Sequence, residues 1–322
     1  MTVHSYAIRF DQSALFAPQN SIQIGPYFRL QPVIPKRDLY DVFEKFENPE
    51  DYGKFAPFRD QICCELVADE ADWASLRGEA AEVFSELPAD ERLDIITGHA
   101  NAIILLMRLC GMTHFTVPLE LSESTFQNLR FQEKKSVSIR FRFSQAVIYP
   151  IIGPNAPKLL DEQDIAWITD NHLKVMKMDS SGKFTFLHDL FDILNFPNPS
   201  IQLVQIWAGI ESIVKSQPKR TKHSIRARCA MFLCETKKER QELYDALGPL
   251  YNFRCDVVHG NKSFSMKEWL EGFEDQRVTG KTKKLFESFT ILKRLMIKVI
   301  EAGKMPTRKK SLALQSEFEE ME

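Results

Sequence analysis

The stretch Pro249-Leu250-Tyr251-Asn252-Phe253-Arg254-Cys255-Asp256-Val257-Val258-His259-Gly260 decides how the second half of the chain reads. Pro249 suits a first helical position, where its missing N–H would have no intrahelical partner anyway. Leu243, Leu247, Leu250, Arg254 and Val257 recur at helical spacing, with a break allowed at Gly248-Pro249. Gly260 stands where a left-handed residue ends a helix. Arg254 therefore occupies a position where the pattern wants an apolar side chain. A guanidinium cannot shed its charge, so it needs an acid or an anion there.

An acid is available upstream. Leu203, Trp207, Ile210 and Val214 form an apolar helical stripe, and Glu211 lies at its edge. Two helices that face each other can pair Glu211 with Arg254, and an isolated Arg–Glu pair of this kind reads first as structural. His259 adds chemistry. It ends the helix, where the dipole favours a cation. It follows Arg254 by about 7.5 Å along the axis and about 140° around it. The two residues bracket one phosphate only if the helix end turns inward or a second subunit closes the groove. Histidine exchanges a proton near neutral pH, and arginine holds two phosphate oxygens by paired hydrogen bonds.

Outward from this segment the helical pattern continues. Helices are expected over 161–178, 183–195, 200–216, 223–235, 237–247, 249–258, 266–273 and 281–302, with Pro197 and Pro199 separating the second from the third. Toward the N-terminus the pattern changes. The first forty residues alternate weakly and are punctuated by Gly25-Pro26 and Pro35, which predicts short strands, with a further strand over 137–149. Helices are expected over 65–86 and 90–110. The stretch Ile152-Gly153-Pro154-Asn155-Ala156-Pro157 reads as a linker. The expected architecture is an α+β N-terminal domain (1–152) followed by an all-α helical-bundle C-terminal domain (158–303) and a charged tail (304–322), mainly α overall.

Composition narrows the function classes. With 322 residues, 44% hydrophobic and 27% charged, the chain has the makings of an ordinary globular core. Its longest apolar runs fall far short of the roughly 20 residues that span a bilayer, and no secretory h-region is visible, so a cytoplasmic protein without membrane contact is expected. Six cysteines, two of them adjacent and none in C-x-x-C, read as reduced thiols. The net charge of −2 divides unevenly, −6 over residues 1–150 and +4 over the rest. Lys219, Arg220, Lys222, Arg226 and Arg228 form a run without an acid, which reads as a solvated helix start or as a docking face for phosphates.

Several motifs fail. Gly280-Lys281-Thr282 resembles the end of a phosphate loop, but Asp275 stands where the first glycine belongs, so a helix start is expected. Cysteine and histidine spacings do not suit zinc, and neither a metal nor another cofactor is expected. His188-Asp189 are adjacent on an expected helix and point apart, so a structural histidine is expected there.

The order of elements around R-x4-H resembles the HEPN superfamily, in its Apea-like branch. The residues that carry the resemblance are Ile206-Trp207-Ala208-Gly209-Ile210-Glu211-Ser212-Ile213, then Arg226-Ala227-Arg228-Cys229-Ala230, then Tyr251, Arg254 and Val258-His259-Gly260. The resemblance covers roughly residues 160–300. It implies a helical bundle that forms a homodimer and sets two R-x4-H motifs in a shared cleft. It further implies a metal-independent endoribonuclease, of the kind found in prokaryotic anti-phage defence and toxin systems, acting by attack of an RNA 2′-OH on its own phosphate. Arg254 and His259 are then catalytic, Glu211 and Asp256 supporting, and Lys219, Arg220, Lys222, Arg226 and Arg228 RNA-binding. The residue after the arginine is commonly Asn or Asp in this superfamily; here it is Cys255, with Asp256 next. The resemblance does not extend to the N-terminal domain, which is expected to sense a phage-derived or protein trigger, bind a partner or restrain the nuclease. Two other readings use the same residues: a catalytically silent HEPN dimerisation or RNA-binding module, and an unrelated helical binding protein.

Overall fold

The computed structural model describes residues 3–10, 20–32, 62–74, 84, 86–111, 115–122, 138–141, 160–179, 198–214, 221–264 and 280–306. The chain divides into two compact units, Met1–Ala146 with Pro157–Leu173, and Val147–Ala156 with Lys174–Glu322.

The N-terminal unit is built on a six-stranded antiparallel sheet. Its strands are β1 (Val3–Phe10), β2 (Ile22–Ile24), β3 (Phe28–Pro32), β4 (Ile62–Asp69), β5 (Phe115–Ser122) and β6 (Ser138–Phe141), in the spatial order β2-β3-β4-β1-β5-β6. A short helix, α1 (Glu70–Ala74), follows β4, and a long one, α2 (Ala89–Leu109), precedes β5. The Tyr6 hydroxyl on β1 lies 2.9 Å from the Thr97 hydroxyl on α2, which ties helix to sheet.

The helix expected over 65–86 is present over Glu70–Ala74, but its first five residues belong to β4. Cys64, Glu65, Leu66, Val67 and Ala68 are all buried, so both faces of this central strand are covered. Such a strand reads as a continuous run rather than an alternation, and periodicity alone does not separate it from a helix. Glu65 is carried inside by hydrogen bonds: Ser5 Oγ and Gln31 Nε2 donate to its carboxylate from the two neighbouring strands. A buried carboxylate without such donors would cost several kcal/mol, so this polar seam opposes any other register.

Strand β5 was not anticipated, and its Pro118 lacks the N–H that a strand with neighbours on both sides needs. The register explains how it fits. Ala7 pairs with Leu119 and Arg9 with Thr116, so Val117 and Pro118 together face Ile8 in a bulge. A bulge leaves one residue outside the ladder, where a missing N–H does no harm.

The described elements of the C-terminal unit are all helices. Helix α3 (Glu162–Asp179) spans the division between the two units, which falls after Leu173. It is followed by α4 (Pro199–Val214), α5 (Thr221–Leu233), α6 (Lys237–Val258) and α7 (Gly280–Ala302). Helix α4 packs on α7 and α5 on α6. Ile206, Trp207, Ile210, Ile213, Leu292 and Leu295 are all fully buried or nearly so. Gly209 allows α4 and α7 to approach: a Cβ there would lie 3.0 Å from Leu292 Cδ1.

The two helices expected at 237–247 and 249–258 are one. Pro249 sits inside α6, where it removes the N–H that Asp245 would accept. Arg226 reinforces the turn before it from α5. Its Nε donates to the Tyr244 carbonyl at 2.8 Å, its guanidinium lies 3.6 Å above the Tyr244 ring, and its end rests where a Gly248 side chain would be. The N-terminus of α6 carries a full capping box, with Glu239 N–H donating to Thr236 Oγ1 and Thr236 N–H to the Glu239 carboxylate. Thr236→Ala is expected to lower stability by about 1 kcal/mol, measured by urea denaturation.

The helices expected at 183–195 and 266–273, the linker, His188 and the tail from 307 onward lie outside the described residues. Gly280-Lys281-Thr282 opens α7 as expected, and Lys281 Nζ donates to the Ser263 carbonyl at 2.9 Å.

Candidate functional site

Helix α6 ends in a complete left-handed cap. His259 is the C-cap, Gly260 follows with φ +74°, and the N–H groups of Gly260 and Asn261 donate to the carbonyls of Val257 and Asp256. That is the paired hydrogen-bond pattern of a Schellman ending. It fixes the last turn, and it leaves His259 exposed at the tip of the helix.

One turn earlier, Arg254 Nη2 lies 3.6 Å from Glu211 Oε1 on α4, so the structure brings together the two residues expected to pair. The side chains keep 22% and 27% of their exposure, so this is a half-buried pair open on one side. Burial raises the Glu211 carboxyl above the usual carboxylate value, and the Arg254 charge partly opposes that. Arg254 Nε and Glu211 Oε1 are both buried without a hydrogen-bond partner, so the two charges meet as an ion pair and not through a close hydrogen bond.

Tyr251 completes the setting, and its role went unread in the sequence. It lies one turn before Arg254 and two turns before His259. Its ring meets Trp207 edge-on at 5.3 Å, and the Arg254 guanidinium is 5.8 Å from its centroid. Its phenol is raised above its usual value by burial first, then by Cys255 and Glu211, with Arg254 opposing. Cys255, four residues on, is therefore a neighbour of Tyr251 on this face of the helix. The signal was the spacing: Tyr251 precedes Arg254 by three residues and Cys255 by four, the separations that meet on one helix face.

Asp256 turns elsewhere. It lies about 200° around the helix from Arg254, and its carboxylate accepts from Lys262 Nζ at 2.5 Å. In this position it braces the helix end against the segment that follows.

The basic run on α5 is also corrected in part. Arg228 is 1% exposed, and its Nη1 donates to the Val214 carbonyl at 3.1 Å. It satisfies the carbonyl end of α4, where a cation is favoured by the helix dipole, and it offers nothing to a phosphate outside. Arg226 is occupied by Tyr244 and by Asp245, whose carboxylate is 3.6 Å away. Lys222 remains partly exposed, and Lys219 and Arg220 lie outside the described residues.

The arrangement offers an arginine held by an acid and supported by an aromatic, with a histidine at the end of the same helix. Such a set can bind an anion and move a proton beside it. Glu211 also gives the unit a pH dependence. With its folded value raised, it favours the fold fully below about pH 4.5, and that contribution is lost as pH rises through the raised value. Glu211→Gln is expected to remove this loss, so the fall in stability between acid and neutral pH is smaller in the variant by denaturant titration at several pH values.

No helix among the described residues is long and apolar enough to cross a membrane. No family model, curated protein or solved structure matches this chain.

Proposed function

We propose that this chain is a metal-independent endoribonuclease of the HEPN type, a prokaryotic anti-phage defence or toxin effector that works as a homodimer. The observation that carries the reading is the Glu211–Arg254 pair between α4 and α6, half-exposed, one turn from a histidine that ends the same helix. Arg254 receives the scissile phosphate and stabilises charge on the phosphorane. The RNA 2′-oxygen attacks phosphorus, the P–O5′ bond breaks, and a 2′,3′-cyclic phosphate is left. His259 serves the proton transfers that accompany attack and departure. The 2′-OH requirement selects RNA over DNA. Val258, next to His259, keeps 45% of its exposure, and in this reading it offers a second copy an apolar contact.

A second reading has its own support. Glu211 and Arg254 already satisfy one another's charge, and His259 fits a helix cap, so a silent HEPN dimerisation or RNA-binding module would keep the same residues. Inducible expression of wild type and Arg254→Ala in bacteria, with and without phage challenge and at matched protein levels, separates the two. Wild type alone is expected to arrest growth or block phage; equal effects of wild type and variant would leave the motif structural.

A further inference from the structure

A cluster of rings in the N-terminal unit plays no part in the site above. His99 on α2 lies 4.7 Å from Trp73 on α1, edge to face, and 5.9 Å from His172 on α3. Tyr27 and Phe84 flank Trp73 at 4.6 and 5.5 Å. His172 is 1% exposed, and a side chain at Gly25 would come within 3.1 Å of its Cε1. Gly25 has φ +61° and its N–H donates to Thr169 Oγ1 at 3.1 Å. The first half of α3 is thus docked on the β2–β3 turn and on α2 through Thr169 and His172.

The protonation state follows from geometry. His172 Nδ1 is 3.1 Å from the Thr169 carbonyl, which only accepts, so Nδ1 carries the proton and Nε2 holds a bare lone pair in the neutral ring. That Nε2, His99 Nδ1 and Trp73 Nε1 are all buried without a hydrogen-bond partner. No acid meets either imidazole among the described residues. On α1, Glu70 is engaged by His4 and Arg92. Asp94 on α2 and Asp170 on α3 are exposed, and the β2–β3 turn contributes only the Tyr27 phenol.

We propose that His99 and His172 form a proton-operated latch: while both rings are neutral they hold the first half of α3 on α2 and the β2–β3 turn, and protonation of either ring releases it. A proton on His172 Nε2 finds no acceptor, and two charged rings at 5.9 Å repel in a desolvated cluster. Burial, with His172 adding to it, pushes His99 down to about 4, and burial also lowers His172 against the pull of the Thr169 carbonyl. The released state takes up protons near pH 6.5 and the docked state resists until about pH 4. Docking is therefore unaffected above pH 7 and weakens as pH falls, by tens-fold or roughly 80-fold at pH 4.5 from His99 alone. Helix α3 continues to Asp179, so release acts on the segment that joins the two units.

The test is hydrogen exchange on the full chain at pH 7.5 and 4.8, corrected for intrinsic rates. Residues 160–173 are expected to lose protection tenfold or more at pH 4.8 while β1 and β4 keep theirs. The double variant His99→Phe, His172→Gln is expected to keep the protection of 160–173 at both pH values. Should the variant not fold, the ring resonances of His99 and His172 in the wild type replace it, with His99 expected to titrate near pH 4 and His172 below 6.5. Unchanged protection in the wild type, equal loss in the variant, simultaneous loss from β1 and β4, or titration of His99 and His172 near pH 6.5 would each overturn the latch.

Discussion

His259→Ala is expected to lower RNA cleavage by about 10²–10⁴-fold, the range that a positioned acid or base contributes. The fold should be indifferent to the change. The His259 side chain is exposed, and the cap it belongs to is made by backbone groups and by the left-handed Gly260. The melting temperature of the variant should stay near that of the wild type. His259→Asn sharpens the comparison, since asparagine is a competent residue at a helix end but has no proton to exchange near neutral pH. Steady-state cleavage of a labelled RNA, set beside thermal unfolding of the same samples, checks both halves. A variant that cleaves like wild type would move His259 from chemistry to capping.

Trp207→Ala is expected to carry the largest stability loss in the helical unit, about 3–5 kcal/mol for a buried tryptophan. Trp207 is fully buried on α4, its ring meets Tyr251 edge-on, and its Nε1 has no hydrogen-bond partner. Everything it contributes is therefore packing, and truncation leaves a cavity between α4 and α6. Whole domains are stable by only about 5–15 kcal/mol, so the variant should unfold about 10 °C or more below wild type. Trp207→Phe should lose much less. Because Tyr251 leans on Trp207 and flanks Arg254, cleavage should fall in Trp207→Ala even at temperatures where it remains folded. Melting curves and cleavage rates of the two variants test this; a Trp207→Ala protein that melts within a degree or two of wild type would contradict the α4–α6 packing.

What the sequence discloses follows from how each signal is encoded. The pairing of Glu211 with Arg254 was legible because Arg254 interrupts an apolar stripe and Glu211 lies at the edge of another, and opposite charges so placed on facing helices seek each other. The cap at Gly260 was legible because only backbone conformation is at stake there. Strand β4 was not, since burial on both faces erases the alternation that marks a strand. Pro249 read as a helix start because the bracing of the preceding turn by Arg226 comes from another helix. The misreading of Arg228 has the same origin: a run of basic residues looks like a surface until the burial of one of them against the end of α4 is known. The place of Tyr251 at the site needed the partner helix as well, because Trp207 and Arg254 meet it from two directions.

The measurement that bears most directly on the central claim is the chemistry of RNA ends. Cells expressing wild type, Arg254→Ala or His259→Ala at equal levels would have total RNA sequenced at its termini, with 2′,3′-cyclic phosphates distinguished from 3′-hydroxyls. The account predicts new cyclic-phosphate ends in wild type alone, at sites that name the substrate. The same ends in all three strains, or new ends bearing 3′-hydroxyls, would contradict it.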